Sequence, residues 1–145
     1  MIKPAWYAIT ESHHPRQLPI PGLAAQLHEL FGHGAAIDPA RTGAAVEVAL
    51  QMVEYLTDAV PHGPAALACR DDIATLLHGL NLLLAGLTQI SGRLAQQVHA
   101  GTTADLTRAS VPDRQRASAA LATATARLLE AAGRVKEAHL DIATR

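Results

Sequence analysis

The stretch His28-Glu29-Leu30-Phe31-Gly32-His33 comes nearest to a metal-binding motif in this chain. It is one residue longer than the His-Glu-x-x-His zinc signature. At about 100° per residue, the two imidazoles of a regular helix would point roughly 140° apart and could not share one ion. Glu29 and His33 do share a face, and a histidine at a helix end meets the negative pole of the helix dipole. The stretch therefore reads as an exposed helix end. A di-iron bundle needs Glu-x-x-His twice, and the sequence does not contain it twice. Glu47, Glu54 and Asp58, spaced by seven and four, make one acidic stripe on a helix, which reads as a solvated face. No metal ligand set, catalytic residue or cofactor is expected from these groups.

Two further sets bear on binding. His78 and Asn81 share a helical face, with His99 further along, and lack a nearby acid or second histidine in the sequence. Across a two-fold axis they would form a polar layer of the kind that fixes helix register. Arg108, Arg114 and Arg116 gather where the last helix should begin. Cations there oppose the helix dipole, so an acidic neighbour, an anion or a phosphate backbone must favour them. The acidic second helix is the simplest source, and nucleic acid is the alternative. The single cysteine, Cys69, excludes an intrachain disulfide and a thiolate cluster. Lying beside Ala66, Leu67 and Ala68, it is expected to be a small buried hydrophobe. Helix-turn-helix spacing, a glycine-rich phosphate loop and a Ser-His-Asp order are not recognisable.

The elements that must hold these residues are helical throughout. Four prolines in the first 21 residues (Pro4, Pro15, Pro19, Pro21) predict an extended arm, with a single domain over 22–145. Helices are predicted at about 22–33, 39–60, 64–100 and 113–143. Their punctuation is Asp38-Pro39, Pro61-His62-Gly63-Pro64, Gly101 and Ser110-Val111-Pro112-Asp113. Apolar residues of the second helix recur at Val46, Ala49, Leu50, Val53, Leu56 and Val60. Those of the last recur at Leu121, Ala124, Leu128, Ala131, Val135, Ala138 and Ile142. The fold class is all-α: an elongated bundle of three to four helices built on a long antiparallel hairpin of the last two.

Ile73–Gly92 is a run without charge, long enough to cross a bilayer. Its pattern argues for a soluble bundle. With Ile73 at heptad position a, Ile73, Leu80, Leu87 and Leu94 occupy a, and Leu76, Leu83 and Ile90 occupy d. This reading places His78, Asn81, Thr75, Thr88 and Gln89 on the opposite side, away from the packed face. Leu77, Leu82 and Leu84 widen the apolar surface beyond what one hairpin covers, which points to a second copy. A charge at Leu83 should then disrupt the protein and a charge at His78 should not.

Composition sets the outer limits. The chain has 145 residues, a net charge of −1, 30 alanines, and ten arginines to two lysines, the last a mark of a GC-rich bacterial genome. Residues 1–72 carry −4 and residues 73–145 carry +3, so no whole-chain field draws nucleic acid. All four aromatics lie before residue 56, so the later helices must pack through aliphatics and alanine. The first ten residues have no apolar core of a secretory leader, and the cytoplasm is the expected compartment. The functional expectation is a non-enzymatic interaction or scaffold protein, homodimeric, with a protein partner and no membrane. The alternatives are a small nucleic-acid-binding regulator and a ligand- or metal-binding bundle.

Overall fold

A computed structural model describes residues 22–102, 106 and 108–144. The arm expected over 1–21 lies outside the described residues. The protein is all-α, and its α-helices among the described residues are α1 (Leu23–Phe31), α2 (Pro39–Ala59), α3 (Arg70–Ala100) and α4 (Val111–Ala143). Its contacts group into two compact units, one ending at Ala68 and one beginning at Cys69.

In the first unit, Asp38 caps α2. Its carboxylate accepts the Arg41 backbone N–H at 2.8 Å, and Pro39 opens the first turn. Glu47, Glu54 and Asp58 lie exposed along α2, as a solvated stripe should. After Ala59 the chain tightens into a 3-10 turn over Val60–Ala65. Gly63 takes φ 53° there, a left-handed value that glycine adopts without cost. Pro61, Gly63 and Pro64 thereby stop helical structure six residues beyond where the sequence reading restarts it. The third helix begins at Arg70, not near residue 64.

Cys69 is the N-cap of α3 and is exposed, which corrects the expectation of a buried thiol. It stands at a helix start, in extended backbone, and not inside a packed turn. Its N–H donates to the Asp72 carboxylate at 3.1 Å, so an orphan donor of the first turn is satisfied. Gly101 closes α3 at φ 63°, its N–H returning to the Gln97 carbonyl at 2.9 Å. Ser110 caps α4 by accepting the Asp113 N–H at 3.3 Å.

α3 and α4, about 46 and 50 Å long at 1.5 Å per residue, pack along their length as an antiparallel hairpin. Contacts fix the direction: Arg70 lies against Ile142, Ala74 against His139, Gly92 against Thr125 and Ala95 against Ser118. The seam on α3 is Ala74, His78, Asn81, Ala85, Thr88, Gly92 and Ala95, each buried or half-buried. The seam on α4 is Arg114, Ser118, Leu121, Thr125, Leu128, Ala132, Val135, His139 and Ile142. Steps alternate between four and three in both, the spacing of knobs-into-holes packing. Of the stripe expected on the last helix, Leu121, Leu128, Val135 and Ile142 face α3. Ser118, Thr125, Ala132 and His139 stand where Ala124, Ala131 and Ala138 were expected.

Candidate interaction surface

The face α3 presents to α4 reverses the sequence reading. His78 and Asn81 lie in the hairpin seam, not opposite it. The reason is steric: the backbones of two helices approach most closely where side chains are smallest. Gly92 meets Thr125 and Ala95 meets Ser118 along such a line, with Ala74 and Ala85 buried on the same face of α3. Bulky leucines at these positions would hold the helices apart. Polar side chains tolerated in the seam find partners across it. His139, 2% exposed, donates from Nδ1 to the Ala74 carbonyl at 2.9 Å. Ser118 Oγ donates to the Ala95 carbonyl at 3.0 Å. The rings of His78 and His139 stand 5.7 Å apart at a 45° tilt. Asn81 differs from these: it is 0% exposed, and neither its amide nitrogen nor its oxygen has a hydrogen-bond partner among the described residues.

On the other side of α3 the large aliphatics face outward. Heptad positions a and d sit about 150° around the helix from the α4 seam. Ile73, Leu83, Leu87, Ile90 and Leu94 are 38–62% exposed, with Ile90 the most open; Leu76 and Leu80 are half-buried. None of these seven is in the hairpin's buried core, which consists of Ala74, Ala85, Ala95, Val98 and Ala132. Gly79 and Gly86 flank the stripe, and a Cβ on either would meet nothing within 4 Å. Within the hairpin no packing therefore requires a glycine there, although each costs the helix about 1 kcal/mol relative to alanine. Among the described residues α3 is the one helix long and apolar enough to cross a bilayer, with 17% of its most apolar window buried. A bundle helix meets the same test of length and composition.

The arginine cluster is engaged within the chain. Arg114 is half-buried: its guanidinium packs over Gly101 and donates to the Leu106 carbonyl at 3.5 Å. Arg116 pairs with Asp113 on the same helix, and exposed Arg108 also has an interaction partner. The acidic neighbour of Arg116 is Asp113, three residues away. Farther along α4, Arg134 and Arg127 bracket Glu130 and hold its carboxyl below the usual range, Arg134 contributing most. This ladder is fully solvated.

Among the described residues, no three His, Cys, Asp or Glu side chains converge on a common point. Of the histidines singled out for spacing, His78 meets His139, which no sequence motif links to it. His28 and His33 flank the end of α1 and His99 is exposed near the end of α3. The one sequence signal for the seam is the four-three recurrence of small and polar residues from Ala74 to Ala95, which is legible once small residues are counted as packing positions. The open depression beside Gly92, Ala95, His99, Ser118 and Thr125 brings no acid to the histidine. The chain matches no protein-family model, and comparisons with curated proteins and with solved structures find no match.

Proposed function

We propose that this chain is a non-enzymatic protein–protein interaction or scaffold protein that works as a homodimeric helical bundle, in the cytoplasm. The observation that carries the reading is the inversion on α3. Small and polar residues face α4, and the large aliphatics Ile73, Leu83, Leu87, Ile90 and Leu94 are left 38–62% exposed. A helix with a packed face on each side is the middle layer of an assembly. Water is a poor solvent for a stripe of this length.

The energies are balanced enough to make the association reversible. Completing the burial of these five side chains gains about 1 kcal/mol each, roughly 10 kcal/mol over two copies. Association costs roughly 4–15 kcal/mol in lost freedom. The half-buried Leu76 and Leu80 add roughly 0.5 kcal/mol each per copy, and against the low end of that cost, about 4 kcal/mol, the net of about 8 kcal/mol corresponds to micromolar dissociation.

Light scattering across a concentration series, on wild type and Leu83→Glu, tests this. Wild type should approach twice the chain mass at tens of micromolar. Leu83→Glu loses about 1 kcal/mol of burial per copy, counted twice by symmetry, and adds a carboxylate in an apolar contact. Dimerisation should weaken at least 30-fold, while helicity by circular dichroism stays within a few per cent. A wild-type monomer at 100 μM, or a Leu83→Glu variant that unfolds, would remove the basis for the reading.

A further inference from the structure

We draw no further inference here: the strongest candidate, the aliphatic stripe that α3 leaves exposed opposite its α4 seam, is the face already proposed for self-association, and nothing in the structure shows the direction or register of what covers it.

Discussion

Replacing Asn81 with alanine should stabilise the hairpin, the reverse of the usual result for truncating a fully buried side chain. Asn81 is 0% exposed, and both polar atoms of its amide lack partners among the described residues. An amide buried without hydrogen bonds costs about 1–3 kcal/mol in lost hydration. Asn81→Ala recovers that cost and gains up to about 0.7 kcal/mol of helix propensity. Against this stands the space left behind. It is small, and at about 24 cal/mol per Å³ it costs less than about 1 kcal/mol. The net expectation is a gain of about 1–2 kcal/mol, or roughly 4–15 °C in Tm for a unit of this size. Thermal and urea denaturation followed at 222 nm, with wild type and variant at one protein concentration, would measure it. A loss of more than about 1 kcal/mol would refute the reasoning, because the amide would then have to be satisfied in solution. Asn81→Asp serves as the control: a carboxylate at the same point should destabilise the hairpin by several kcal/mol.

His139→Ala removes the hydrogen bond to the Ala74 carbonyl and a buried ring from the seam. It should cost about 2–4 kcal/mol by urea denaturation; a cost under about 0.5 kcal/mol would mean that the seam is not packed at this layer. Gly101→Ala forces a side chain into left-handed backbone and against the Arg114 guanidinium. It should cost about 1–2 kcal/mol, and the companion Arg114→Ala should relieve part of it when the two are combined in a double-mutant cycle.

The helices were largely legible in the sequence because their ends are set by local chemistry. Asp38 before Pro39, Gly101 in its left-handed turn and Ser110 ahead of Pro112 act within one turn of the backbone, and each stands at the boundary it predicts. The start of α3 was less legible. Pro64 can open a helix, but Gly63 at positive φ and the 3-10 turn around it delay the helix until Cys69 and Asp72 supply a cap. The orientation of α3 was not legible from its leucines. Hydrophobic periodicity says that a stripe is suited to burial; it does not say by what. That depends on the partner seam, and Ser118, Thr125, Ala132 and His139 read as an unremarkable scatter until they are set against Ala95, Gly92, Ala85 and Ala74.

The two faces of α3 differ in character: one packs on α4 and the other is an exposed aliphatic stripe. The α4 seam combines small residues with buried polar groups. Such a seam rewards a single register, because sliding His139 away from the Ala74 carbonyl would strand a buried donor. Its large apolar side chains come from α4, through Leu121, Leu128, Val135 and Ile142, and α3 contributes mainly small and polar ones. The aliphatic stripe has the opposite character: large side chains in a repeating pattern, strong in burial and weak in register. If the proposed dimer forms through this stripe, the hairpin's stability should depend on protein concentration. Leu83→Glu should therefore lower the apparent Tm toward that of the dilute wild-type protein and abolish its concentration dependence. Asn81→Ala should raise the Tm of monomer and dimer alike. If Leu83→Glu left the concentration dependence of Tm unchanged, the outer stripe would not be the associating face.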